Sequence, residues 1–311
     1  MRFALIGRSE WLHASGRTLL AKGHSLGLVW TAKAAPEYTR TASDFEALAA
    51  QHGAVYLEGA RIDEAPLDAA FAQAGPLDIG ISVNFPGLLQ ASHLARFPHG
   101  ILNAHGGDLP RYRGNACSAW ALLRGEARIG LCVHRMVAGE LDNGDLLARA
   151  YHPVQEDTRI GQIVDWMGRA IPELMAEAVT ALEADPRWCL EVQSRNPADA
   201  LRCYPRLPED GRIDWRASAL EIVRLVNASS EPYAGAFATL LGEPLVIWRA
   251  RRLQDGERFC AVPGQVAART PEGGLVVCTG DGKVILEEVT YRGTRTSRPG
   301  DLVPSLRTRL T

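Results

Sequence analysis

Along the first two-thirds of the chain, short apolar runs alternate with segments whose apolar residues recur at helical spacing. Phe3 to Gly7 is an apolar run closed by glycine and reads as a buried strand. Trp11 to Ala21 reads as a helix ending before Gly23, and Leu26 to Thr31 as the next strand. Ser43 is the expected N-cap of a helix reaching about His52, with Glu46 in the capping-box position. Ala54 to Leu57 is strand-like, Asp63 to Ala74 helical up to Gly75-Pro76, Leu77 to Val83 a third apolar run, Pro86 to Arg96 a helix, and Gly100 to Asn103 a strand. Gly130 to Val137 and Leu146 to Ala150 are expected strands flanking the loop at Asp142. Thr158 to Ala184 follows as a long helix with a break at Pro172. From Gln193 to Pro208 the pattern lapses into Pro, Arg and Asn.

The last hundred or so residues differ in character. A helix near Ser218 to Ala228 precedes short strands at Phe237–Leu241, Leu245–Ala250, Gly264–Ala268, Leu275–Thr279 and Val284–Tyr291, separated by turn signals such as Gly242-Glu243-Pro244 and Gly280-Asp281-Gly282. The pattern predicts an α/β fold: a Rossmann-like, mostly parallel sheet with helices on both faces, then a small C-terminal β-barrel of OB-like type. The expected divisions are residues 1–192, a linker at 193–208, and 209–311. In such parallel sheets ligands bind at the carboxyl ends of the strands, and Asn103 and His105 stand at one such end.

At 311 residues the chain can bury a sizeable core. A formal net charge of −2 gives no general pull toward nucleic acid or anionic membranes. The six cysteines (Cys117, Cys132, Cys189, Cys203, Cys260 and Cys278) are scattered without zinc or redox spacing, so neither a metal site nor a disulfide framework is expected. The start lacks the long apolar core of a signal peptide, and no apolar stretch approaches the roughly 20 residues of a membrane span. A cytoplasmic location without membrane association is the expectation.

The candidate chemistry lies in Asn103-Ala104-His105-Gly106-Gly107-Asp108-Leu109-Pro110-Arg111-Tyr112-Arg113-Gly114 and in Leu141-Asp142-Asn143-Gly144-Asp145. An amide donates to a developing oxyanion without competing for protons. In extended backbone, Asn103 and His105 point to the same side. Asp142 can keep the imidazole protonated or take a proton from an attacking amine. Taken singly, each also has a plain reading: an Asn or a His at a strand end as a hydrogen-bonded turn residue, and Leu-Asp-Asn-Gly-Asp as a tight turn. No Gly-x-Ser-x-Gly, His-Glu-x-x-His or Gly-x-x-x-x-Gly-Lys competes for the chemistry.

Asn-x-His, Leu-Pro-x-Tyr-Arg-Gly and Leu-Asp-x-Gly-Asp together resemble the 10-formyltetrahydrofolate-dependent formyltransferase family. The resemblance continues through Trp120-Ala121-Leu122-Leu123-Arg124-Gly125-Glu126 and His134-Arg135-Met136-Val137. It then extends through Cys203 to Trp215 and Glu231-Pro232-Tyr233-Ala234-Gly235-Ala236-Phe237, and so covers nearly the whole chain. It implies Asn103, His105 and Asp142 as the catalytic set and 10-formyltetrahydrofolate as cosubstrate. It also implies folate contacts, largely through backbone, at Asn84, Phe85, Leu88, Ala138, Gly139, Glu140 and Leu141. Gly107-Asp108 replaces the family's Ser-Leu, and Gly7-Arg8-Ser9 departs from the Gly-Thr-Pro usual in the tRNA-directed enzymes. Arg8, Ser9, Asp108 and Arg113 are the candidate acceptor contacts, Asp108 alternatively being a turn-stabilising residue.

The stretch Lys33 to Ser43, where tRNA-directed relatives carry a basic loop, holds Lys33 and Arg40 but also Glu37. That scarcity of cations counts against initiator tRNA. The blocks His134-Arg135-Met136-Val137, Pro208-Glu209-Asp210-Gly211 and Pro232-Tyr233-Ala234-Gly235-Ala236-Phe237 resemble the sugar-nucleotide formyltransferases, which implies a small amine, foremost a nucleotide-linked amino sugar. A hydroxylated ornithine is a further acceptor to weigh. A formyl-folate hydrolase or a non-catalytic folate-binding protein is the alternative of a different class, and a second copy of the chain is the candidate protein partner.

Overall fold

The computed structural model describes residues 1–311 and divides into two compact units. The first comprises Met1–Cys117, Gly130–His152 and Asp165–Cys203; the second comprises Ser118–Ile129, Pro153–Val164 and Tyr204–Thr311.

The first unit is built on strands β1 (Arg2–Gly7), β2 (Ser25–Thr31), β3 (Val55–Glu58), β4 (Ile79–Val83), β5 (Ile101–His105), β7 (Arg128–Arg135) and β8 (Leu146–Pro153). They form one sheet in the order β3-β2-β1-β4-β5-β7-β8. The pairs from β3 to β5 are parallel, and β7 joins β5 antiparallel. Phe3, Ala4, Leu5 and Ile6 are all buried, so β1 is an unbroken apolar run because both its faces are covered. Helix α1 (Glu10–Ala21) buries Leu12, Ser15, Gly16 and Leu19, a single helical stripe. A Cβ at Gly16 would stand 2.6 Å from Leu5 Cδ1, so glycine there sets the close approach of helix to sheet. The chain runs outward from β1 through β2 to β3 and returns on the other side of β1 as β4. The carboxyl ends of β1 and β4 therefore flank the point where strand order reverses.

Three local expectations are corrected. Helix α2 (Ala42–Gln51) is capped by Thr41, not Ser43: the Thr41 N–H donates to Asp44 Oδ2 at 2.8 Å, so the box closes two residues earlier. After α3 (Glu64–Ala74), the helix expected over 86–96 shrinks to α4 (Ala91–Leu94). Gly87 lies so close to the Ala60 carbonyl that a Cβ would sit 2.3 Å from its oxygen, which pins this stretch as a loop. Residues 193–203, read as linker, belong to the first unit: strand β9 (Leu201–Cys203) pairs in parallel with β6 (Tyr112–Gly114). Helix α5 (Cys117–Arg124), unannounced by the pattern, lies between β6 and β7. The long helix α6 (Ile160–Ala184) runs on through Pro172.

In the second unit, helix α7 (Ala219–Ser229) is capped by Ser218, whose Oγ accepts from Glu221 N. Six antiparallel strands follow: β10 (Ala236–Leu240), β11 (Glu243–Leu253), β12 (Val266–Arg269), β13 (Leu275–Cys278), β14 (Lys283–Tyr291) and β15 (Thr294–Thr296). Ile222, Val223 and Val226 of α7 share one core with Leu245, Ile247, Leu275 and Leu286. The C-terminal tail joins the two edges of the sheet. Val266 N donates to Thr308 O and Leu310 N to Gly264 O on the β12 side, and Thr239 of β10 exchanges both backbone bonds with Thr311. Edge backbone groups are thereby paired rather than left open. No helix of the protein is long and apolar enough to cross a membrane.

Candidate active site

Asn103 and His105 lie on β5, near its carboxyl end, and the antiparallel register sets Asn103 opposite His134 of β7. Asn103 Nδ2 is 3.1 Å from His134 Nε2. An amide nitrogen only donates, so His134 Nε2 accepts in this bond, and its Nδ1–H faces the Arg135 carbonyl at 3.3 Å. His134 is 2% exposed. Sequence reasoning gives it no role of its own; the signal available was a histidine in the strand that pairs with the one carrying Asn-x-His.

His105 is buried as well, and both its ring nitrogens face acceptors. Nε2–H donates to the Tyr112 carbonyl at 2.7 Å, and Nδ1 is 3.5 Å from Asp142 Oδ2. Gly107 makes room for this ring: a Cβ there would stand 2.6 Å from His105 Nε2 and 2.5 Å from the Tyr112 oxygen.

Asp142 joins the two histidines. Its Oδ1 is 3.4 Å from His134 Nε2, and its Oδ2 accepts the Gly114 N–H at 2.9 Å. Burial pushes its pKa up, but His105 and the Gly114 N–H together outweigh burial and hold it well below the usual carboxylate range. Asp142 is a fixed anion, and this position carries a positive φ of 46°. Gly114 is required for its donor role, since a Cβ there would be 2.4 Å from the Cys203 oxygen.

The loop carrying Asp142 is clamped from residues 193–195. Gln193, 1% exposed, donates through Nε2 to Gly144 O at 2.6 Å, and its Oε1 accepts from Arg113 Nε at 3.0 Å and Nη2 at 2.6 Å. Arg195 pairs with Glu140 at 3.1 Å and with the Asn143 carbonyl. A Cβ at Gly144 would fall 1.5 Å from the Arg135 oxygen, so only glycine lets the loop fold back on β7.

The structure thus brings Asn103, His105 and Asp142 together and adds His134. Arg113 is occupied by Gln193 and Ser194 O. Asp108 accepts from the Tyr151 hydroxyl at 3.1 Å and lies 4.0 Å from Arg149 Nε, a structural setting for its carboxylate. Ser9 is wholly buried at φ 86°, its Oγ 3.5 Å from Asn84 Nδ2. Arg8 donates to Asn84 O and Lys33 O. Phe85 packs edge-on against Trp30 at 5.0 Å. Leu88 in the same loop is 84% exposed, Leu141 is 39% exposed, and Gly139 turns the 138–141 loop at φ 74°.

Residues 1–179 match the formyl transferase family, and residues 207–306 match the formyl transferase C-terminal domain. A methionyl-tRNA formyltransferase of Anaeromyxobacter dehalogenans is 29% identical over 99% of this chain and 97% of its own length. Among solved structures, the N-formyltransferase from Helicobacter canadensis, in complex with folinic acid and dTDP-3-aminofucose, superposes with a TM-score of 0.64. It is 14% identical over 91% of this chain and 98% of that one. HypX from Aquifex aeolicus superposes at 0.61 with 18% identity; the match takes in 97% of this chain and 47% of that longer one.

Proposed function

Because the chain belongs to the formyltransferase family, we propose that it moves a formyl group from 10-formyltetrahydrofolate to the primary amine of a small acceptor, foremost a nucleotide-linked amino sugar. The observation that carries the chemistry is the buried Asn103–His134–Asp142–His105 cluster: one amide donor, two imidazoles and one fixed carboxylate on paired strands and a clamped loop.

The folate supplies an activated formyl group on a nitrogen. The loops bearing Leu88 and Leu141 are the candidate lining for its ring system, for each leaves an apolar side chain exposed. His134 holds one Asn103 N–H, which leaves the second free for the formyl oxygen as negative charge develops there. His105, oriented by Asp142 at 3.5 Å, is the proton carrier of the set. The acceptor nitrogen bonds to the formyl carbon, the bond from that carbon to the folate nitrogen breaks, and the proton lost by the amine ends on the folate nitrogen. Asp142, so strongly held as an anion, orients His105 rather than taking the proton itself.

The second unit supports a small acceptor. Its strand arginines are largely neutralised at short range: Arg249 with Glu288 at 3.0 Å, Arg251 with Glu287 at 2.7 Å and Arg295 with Glu288 at 2.6 Å. A surface gripping tRNA needs unpaired cations for phosphates. The second reading, initiator methionyl-tRNA as acceptor, is favoured by the name of the relative that matches along 99% of the chain. Rates of formyl transfer to a panel of nucleotide-linked amino sugars and to initiator methionyl-tRNA at low salt separate the two. The account expects turnover with a member of the panel; turnover with the tRNA alone overturns the acceptor.

A further inference from the structure

The second unit has a cleft of its own, of about 210 Å³, and every residue lining it belongs to that unit. Three segments far apart in sequence build it: the end of α5, the loop at 154–158 after β8, and one face of α7. On α7, Ile222, Val223 and Val226 pack into the core, whereas Leu220, Arg224 and Asn227, at i, i+4 and i+7, share the face turned to the cleft. The Arg224 guanidinium lies against the backbone where α5 ends: a Cβ at Gly125 would stand 2.1 Å from its Nη2. It makes no hydrogen bond or ion pair within the protein, so its fork of N–H groups is free. Asn227, only 5% exposed, spends its Nδ2 on the Glu156 carbonyl at 2.8 Å, while its Oδ1 accepts no hydrogen bond within the protein. A buried amide oxygen without a donor is costly, and a ligand N–H in the cleft satisfies it. Leu122, Val154 and Leu220 give the wall an apolar side.

The cleft is smaller than the roughly 300–1,000 Å³ of sites for drug-sized ligands, so its occupant is smaller than a nucleotide. Glu126 and Glu156 also line it, and although Arg252 Nε holds the Glu156 carboxylate at 2.7 Å, their presence disfavours a polyanion. One carboxylate, balanced by a neighbouring cation, meets the single free guanidinium without that penalty. We propose that the cleft binds a free α-amino acid with an aliphatic side chain. Its carboxylate lies on the Arg224 fork, its ammonium donates to Asn227 Oδ1, and its side chain packs on Leu122, Val154 and Leu220. The last residue of a peptide offers the same carboxylate and an N–H, but no charge on that nitrogen. The site stands apart from the transferase reading, for none of its residues serves the formyl chemistry.

Calorimetric titration of the full chain with leucine tests the site without folate or turnover. Leucine should bind. Leucinamide, which lacks the carboxylate, N-acetylleucine, which lacks the ammonium, and glycine, which lacks the side chain, should each bind about tenfold more weakly. Arg224→Met should weaken leucine by about the same factor. That change removes no bond made within the protein, so the variant keeps the fold. Leucine in excess should raise the Tm of the wild type and raise that of Arg224→Met less. Arg187→Met, on a side chain that is 95% exposed, should alter neither reading. No binding of leucine up to about 10 mM, or binding undiminished by Arg224→Met, overturns the site. N-acetylleucine bound as well as leucine would overturn the free amino acid as ligand and leave a peptide C-terminus in its place. Inorganic pyrophosphate bound more tightly than leucine, and lost in Arg224→Met, would make the cleft a phosphate site instead.

Discussion

Asn103 offers a test that separates transition-state from ground-state binding. Its free N–H gains strength only as charge builds on the formyl oxygen, so Asn103→Ala should lower kcat by about 10²–10³ with little change in KM. A change confined to KM would remove it from the oxyanion side. Asp142 tests the electrostatics. Its folded pKa lies below the ordinary 3.8, so the ionised carboxylate stabilises the fold above that value, and this contribution is lost as pH falls toward the folded value. The difference in Tm between wild type and Asp142→Asn is therefore fully open at neutral pH and narrows below about pH 4. A gap that stays constant into acid would show that the buried charge contributes nothing.

At the scale of elements, the Asp142 loop depends on the strut from residues 193–195. Gln193→Ala leaves the Gly144 carbonyl without its partner and the Arg113 guanidinium with Ser194 O alone, at a cost of about 1–3 kcal/mol for an unsatisfied group. Thermal unfolding should show this loss, and kcat should fall with it as Asp142 loosens; full activity at a lowered Tm would mean that the strut serves stability alone. This strut was not legible in the sequence. Residues 193–203 are short of apolar periodicity because their order comes from side-chain bonds to a distant loop and from the three-residue pairing of β9 with β6. The strands of the parallel sheet were legible because continuous burial writes an unbroken apolar run, as in Phe3 to Ile6. The helix over 86–96 was misread because the close approach of Gly87 to the Ala60 carbonyl is a tertiary constraint with no local signature. Asn103 and His105 stood out through the family resemblance, with their spacing only in support, whereas His134 depended on a strand register that only the folded sheet reveals.

At the scale of the whole molecule, the account joins three features: a cluster that can stabilise charge on a formyl oxygen, exposed apolar loop residues suited to a folate, and a second unit whose strand arginines are largely ion-paired within the protein. These belong together only if the formyl group is delivered to an amine and not to water. A hydrolase would use the same oxyanion chemistry, so no substitution in the cluster separates the two. The direct measurement is a single turnover with isotopically labelled formyl-folate, with and without a nucleotide-linked amino sugar, following where the label goes. The account predicts that the label appears as a formamide on the amino sugar, with negligible free formate and negligible turnover when the amine is withheld. Label released as formate at the same rate whether or not an amine is present would contradict it.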